Sequence, residues 1–163
     1  MIAALASVAG CGLGPAPPPK PSTDTCTDSD GPSLDAVRRA IAAVPPPTRD
    51  PGDPETAALS TWTESARGHT RNCRLHWVKL VVTDAMASSP EQLLFFDHDT
   101  PLGSPTTNPK PYTTVLSSGE DTVTVQYQWQ VGSDPSCCPT GIGTTRFRID
   151  GGKLKAVDSI PDQ

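Results

Sequence analysis

Residues 121–131 read "DTVTVQYQWQV" and alternate without a slip. Val123, Val125, Tyr127, Trp129 and Val131 fall on one side of an extended chain, and Thr122, Thr124, Gln126, Gln128 and Gln130 on the other. Successive strand side chains point to opposite faces, so the pattern describes a strand with one apolar face to bury and one face in water. Such strands belong to antiparallel sheets. Downstream, "TTRFRID" (144–150), the "DGG" turn and "KLKAV" (153–157) predict a hairpin with Phe147 and Ile149 inward. Upstream, "PYTTVL" (111–116) predicts another strand, and "EQLLFF" (91–96) is an apolar run short enough for a buried one, followed by the turn "DHDTPLG" (97–103). In "CRLHWVKLVV" (73–82), Cys73, Leu75 and Trp77 share a face opposite Arg74 and His76. The apolar phase then slips to Val78, Leu80 and Val82, which predicts a bulge or burial on both faces.

Before these strands, "GPSLDAVRRAIAAVPPP" (31–47) carries Leu34, Val37, Ile41 and Val44 at the spacing of one helical face. Ser33 is placed as N-cap, Asp35 lies in the first turn, and Pro45 ends the helix. Residues 45–72 read as a long connection with Trp62 pinned beneath it and a short helical turn near "ETAALSTWTESA" (55–66). The expected fold class is α+β: one N-terminal helix packed on an antiparallel β-meander sheet of about five to six strands, disulfide-stapled. One domain, 33–163, accounts for it.

The first 32 residues read differently. The stretch from Ile2 to Val8 is apolar, and "VAGC" (8–11) has the small-residue approach to cysteine of a bacterial lipobox. Only a thiol forms the thioether to a diacylglyceryl group, which makes Cys11 the expected lipidation site and residues 1–10 a signal peptide. Each buried methylene contributes about 0.8 kcal/mol, so two or more chains anchor stably where one is marginal. No Lys or Arg precedes the apolar run, and Met1 is read as an internal start. Residues 11–32, rich in Pro, Ser, Thr and Asp, form the tether. In an extended polyproline conformation, Cys11 to Cys26 would span roughly 45 Å at about 3.1 Å per residue. The expected location is the cell membrane, lipid-anchored, on its extracytoplasmic side.

With Cys11 acylated, Cys26, Cys73, Cys137 and Cys138 are an even set in an oxidising compartment, where disulfides are the expected fate. Bridging the neighbours Cys137 and Cys138 closes a tight ring, so the reading favours Cys26 and Cys73 each reaching one member of that pair. Zinc ligands are usually separated, as in C-x2-C, which argues against a metal role for this set.

A net charge of -5 argues against nucleic acid as a partner, because phosphate recognition draws its affinity from a basic face. Asp97, His98 and Asp99 are the sharpest chemical candidates: carboxylates beside an imidazole bind metal or move protons. A polar hairpin turn is the plainer reading, since adjacent residues on an extended chain point opposite ways. The basic segment Arg67, His69, Arg71, Arg74 and His76 has the composition to meet anionic polymers, or simply to solvate a strand face. No G-x-S-x-G elbow is present, and "GIGTTR" (141–146) lacks the third glycine of a dinucleotide fingerprint. No catalytic set and no cofactor are expected. The alternative is an envelope enzyme or metal-dependent binder using Asp97, His98 and Asp99.

Behind the lipobox, "CRLHWV", "LLFFDHDTPLGSPT", "DTVTVQYQW", "DPSCCPTG" and "RFRIDGGKLKAVDSIP" occur in that order. In these motifs, from about Asp30 to Pro161, the chain resembles the LppP/LprE family of actinobacterial, largely mycobacterial, lipoproteins. The resemblance implies a lipid-anchored envelope protein whose partners are the membrane, through its acyl anchor, and an unidentified envelope protein or ligand. It leaves activity open.

Overall fold

The architecture was obtained as a computed structural model, which describes residues 26–47 and 61–161. Residues Leu34–Ala43 form helix α1, with the Ser33 side chain accepting a hydrogen bond from the Ala36 amide at 3.2 Å. That contact satisfies one of the donors a helix leaves open at its start. Eight strands follow: β1 (Trp62–His69), β2 (Leu75–Val82), β3 (Glu91–Asp97), β4 (Thr100–Gly103), β5 (Thr113–Ser118), β6 (Thr122–Trp129), β7 (Gly141–Asp150) and β8 (Lys153–Ala156). They make two four-stranded antiparallel sheets, β1-β2-β3-β4 and β5-β6-β7-β8.

The two sheets face each other. Leu75, Leu93 and Phe95 of the first close over Val123, Val125, Tyr127 and Phe147 of the second, and the Phe95 and Phe147 rings lie 5.4 Å apart. The other face of the first sheet presents Val78, Leu80, Leu94 and Phe96, which α1 covers with Val37, Ala40 and Ile41, joined by Val44 just past its end. The order of layers is therefore helix, sheet, sheet. The middle layer is buried on both faces, and this explains the phase slip in β2 and the unbroken apolar run of β3: Leu75 and Trp77 serve one core, Val78 and Leu80 the other. The register of β2 against β3 runs without a shift, so both-face burial, not a bulge, is the reason. Lys79 falls on the inner face, where its ammonium pairs with Glu91 at 2.9 Å and donates to the Thr113 carbonyl at 2.7 Å, joining the sheets at their rim.

Several expectations need correction. The protein is mostly β, with eight strands in two sheets instead of five to six in one meander. Residues 62–69 form an edge strand, not a connection or helical turn, and residues 55–60 lie outside the described ones. Trp62 belongs to β1, packs under α1 and donates its indole N–H to the Pro45 carbonyl at 2.8 Å. Within 97–103 only His98 and Asp99 turn, and the chain then returns as β4. Leu34 is 64% exposed because the helix turns its Ala36–Val37 side to the sheet. Val131 is exposed as well, since β6 ends at Trp129.

The cysteine pairing also differs. Cys26 is bonded to Cys73, and Cys137 to Cys138. Cys73 sits at the tip of the β1–β2 hairpin, whose Arg71 and Asn72 amides donate to the Gly119 and Glu120 carbonyls just before β6 begins. Cys137 and Cys138 lie in the loop after β6 ends. Eight residues at about 3.3 Å each separate those ends by roughly 25 Å, far beyond the Cα separation a disulfide bridges. The N-terminal segment arrives at the hairpin tip, which puts Cys26 beside Cys73.

Candidate functional site

The Asp97–Asp99 turn directs its three side chains to three different structural partners. Asp97, at the end of β3, receives the Arg74 guanidinium in a fork, Nε to Oδ1 at 3.1 Å and Nη2 to Oδ2 at 2.9 Å. The same hydrogen bonds hold its carboxyl below the usual carboxylate range. His98 adopts a positive φ of 52°, and its Nδ1 lies 3.0 Å from the Asp30 carbonyl. Asp99 Oδ1 accepts the Ser33 amide at 2.7 Å at the entrance to α1. The His98 and Asp99 contacts clasp residues 30–33 onto the sheet end, while the Arg74–Asp97 fork ties the start of β2 to the end of β3. Among the described residues, no group of three His, Cys, Asp or Glu side chains is placed to hold a metal ion.

His76 shares that end of the sheet. It is almost fully buried, its Nε2 lies 2.9 Å from the Cys73 carbonyl, and burial pushes its imidazole below the ordinary histidine value. His69 and His98 flank it, with ring centroids 5.6 and 6.1 Å away. The rest of the basic segment is largely neutralised. Arg67 pairs with Glu64, Arg71 with Glu120 and Arg74 with Asp97. An anionic polymer would have to displace these partners.

A pocket of about 610 Å³ adjoins these histidines, lined by Cys26, Ser33, Arg67, His69, His76 and Trp77 among others, and a further concave feature lies along α1. A cleft of about 560 Å³ opens between the helix and the β3–β4 edge. Ala36, Ala40 and Ala43 form its helical wall, Leu94 and Phe96 contribute to its floor, and Pro101 and Pro105 stand opposite. Alanines spaced 36, 40, 43 share one helical face, and their methyl groups are too short to fill the gap to the prolines. Arg39 and Gln92 supply polar groups, the latter held by the Thr106 carbonyl and hydroxyl. Sequence reading passed over this site because alanine and proline carry no chemical signal; the one available cue was the alanine stripe beside the Val37–Ile41 face.

The pattern of the LppP/LprE lipoprotein family matches residues 67–152, from the end of β1 to the β7–β8 turn. Proteins named "Putative lipoprotein LppP" from Mycobacterium tuberculosis and Mycobacterium bovis are 64% identical over 137 residues, covering 83% of this chain and 73% of theirs. The chain belongs to the LppP/LprE lipoprotein family. No solved structure matches it. As a family member it is associated with a membrane, and among its described residues no helix is long and apolar enough to cross one. The matched region of this LppP/LprE protein includes Asp97, His98, Asp99 and both vicinal cysteines, and it stops short of α1 and the alanine wall of the cleft. Cys11 and the signal-like segment lie outside the described residues.

Proposed function

We propose that this protein is an extracytoplasmic, lipid-anchored, non-enzymatic binding domain that holds a small apolar molecule unchanged in the cleft beside α1. In this reading residues 1–10 are a signal peptide, Cys11 carries the acyl chains, and the proline-rich segment keeps the domain clear of the bilayer. The family's lipoprotein character supports the anchor. The observation that carries the binding role is the cleft itself, whose 560 Å³ falls within the range of about 300–1,000 Å³ usual for ligand sites. Its lining is mostly Ala, Val, Leu, Phe and Pro side chains, with Arg39, Gln92, Ser104, Thr106 and Thr107 as polar members, a composition suited to a hydrocarbon body that carries a polar end. The carboxylates at the Asp97–Asp99 turn are engaged in holding the chain together, which favours binding over catalysis.

The test is a titration of the full chain with a fluorescent fatty acid, repeated with Ala40→Trp, which fills the cleft. Saturable binding weakened at least tenfold by the substitution, with the thermal midpoint retained, is the expected result. Absent binding, or binding indifferent to Ala40→Trp, refutes the reading. Mass analysis of membrane-extracted protein tests the anchor, and Cys11→Ser should release the chain from the membrane fraction.

A further inference from the structure

We infer that Cys137–Cys138 is a redox-active disulfide, open to exchange with the dithiol of an envelope oxidoreductase, while Cys26–Cys73 is the structural bridge. Three observations carry this division. First, both members of the vicinal pair are exposed on the loop between β6 and β7, whereas Cys26 and Cys73 are half-buried against the hairpin tip. Second, a disulfide stabilises chiefly by closing a long loop in the unfolded chain, and the effect grows with loop length. Cys26–Cys73 spans 47 positions, Cys137–Cys138 a single one. A bond between neighbours restricts almost nothing, so its formation leaves stability little changed.

Third, the loop is shaped without it. Asp134 Oδ2 accepts the Val131 amide at 2.9 Å, the Thr140 amide at 2.8 Å and the Thr140 hydroxyl at 2.7 Å, pinning both ends of the loop to one carboxylate. Those amide and hydroxyl bonds hold the carboxyl below the usual carboxylate range. The Gln130 side chain donates to the Asp134 carbonyl, and the Tyr112 hydroxyl to the Ser136 carbonyl. A loop built this way accommodates the pair as disulfide or as two thiols. Among the described residues no other cysteine remains to compete, because Cys26 and Cys73 bind each other.

The exchange is balanced. A thiolate of the external dithiol attacks one sulfur of the pair, breaking its S–S bond, forming a mixed disulfide and releasing the other cysteine as a thiolate that takes a proton. The second external thiol then displaces the attacked cysteine, which is protonated in turn. Two electrons and two protons have entered the pair, and the partner leaves as a disulfide; the reverse sequence restores the bond.

The experiment equilibrates the full chain in dithiothreitol buffers of graded reducing strength, alkylates the thiols and maps the peptides by mass. The 137/138 peptide is expected to take up two alkyl groups in buffers that leave Cys26–Cys73 intact and the circular dichroism unchanged. The variant Cys137→Ser with Cys138→Ser should keep the wild-type thermal midpoint, whereas Cys26→Ser with Cys73→Ser should lower it. Three results would overturn the assignment: release of both bridges together as the protein unfolds, two free thiols at 137 and 138 in fully oxidising buffer, or equal loss of stability in the two double variants.

Discussion

Tyr127 is expected to be a residue whose hydroxyl weakens the fold, so that Tyr127→Phe stabilises the protein. The ring lies at the centre of the inter-sheet core, on β6 opposite Thr113 of β5 and Gly143 of β7, and is 1% exposed. Its hydroxyl is buried without a hydrogen-bond partner among the described residues. A buried donor left unmade costs about 1–3 kcal/mol, while removing one oxygen opens little space. A net gain of about 1 kcal/mol corresponds to a rise of about 4 °C in Tm for a domain of this size. The same burial pushes the phenol well above its ordinary range, which adds a second reading. The unfolded phenol ionises near pH 10 and the folded one does not, so the folded state holds more protons above that pH. Wild-type stability must therefore fall as pH rises past about 10, and this component must vanish in the Phe variant. Urea unfolding at pH 7 and pH 10.5, followed by circular dichroism, measures both. A variant destabilised by more than about 1 kcal/mol at pH 7 would refute the reasoning, because it would mean the hydroxyl has a partner.

Three other outcomes are expected. Replacing Cys26 and Cys73 by serine should cost about 4 kcal/mol in the chain-entropy limit for their 47-residue separation, read from the urea midpoint. Gly141→Ala should strongly lower Tm, because a Cβ there meets the Trp129 indole that lies across the glycine; Gly132→Ala, in open space but at a φ of 60°, should cost only backbone strain of about 1 kcal/mol. Asp158, held at about 2 chiefly by the hydrogen bond from the Arg146 side chain, contributes stability that is present above about pH 4 and lost as pH falls through 2. Asp158→Asn should flatten that part of an acid unfolding profile, and an unaltered profile would contradict the pairing.

Legibility in the sequence followed how each element divides its two faces. β6 and β7 were readable because one face meets the core and the other meets water, which writes alternation directly into residues 122–129 and 144–149. β1 was not, because an edge strand reading WTESARGH buries only part of its side chains and shows no apolar period. β4 is four residues long and contains Pro101, so it reads as part of a turn. The division into two sheets had a trace that pattern reading left unused. β2 and β3 are apolar on both faces, and a sheet buried on both sides needs a second layer besides one short helix. The missing layer is the second sheet.

The distribution of chemistry follows from the same layering. An N-terminal segment that must cross the end of the middle sheet needs fastening there, and polar side chains fasten more specifically than apolar ones because their bonds have direction. His98 and Asp99 meet that need, and so does the bridge from Cys26 to Cys73, while Arg74 and Asp97 tie β2 to β3 beside them. Charged residues clustered in sequence around a strand end thus acquire the appearance of a catalytic set while every one of them is occupied with the backbone or with each other. Space, by contrast, is left where side chains are short, along Ala36, Ala40 and Ala43. A ligand entering that cleft would replace packing the helix itself does not provide, which is why filling it at Ala40 is the substitution that separates a binding cleft from an incidental gap.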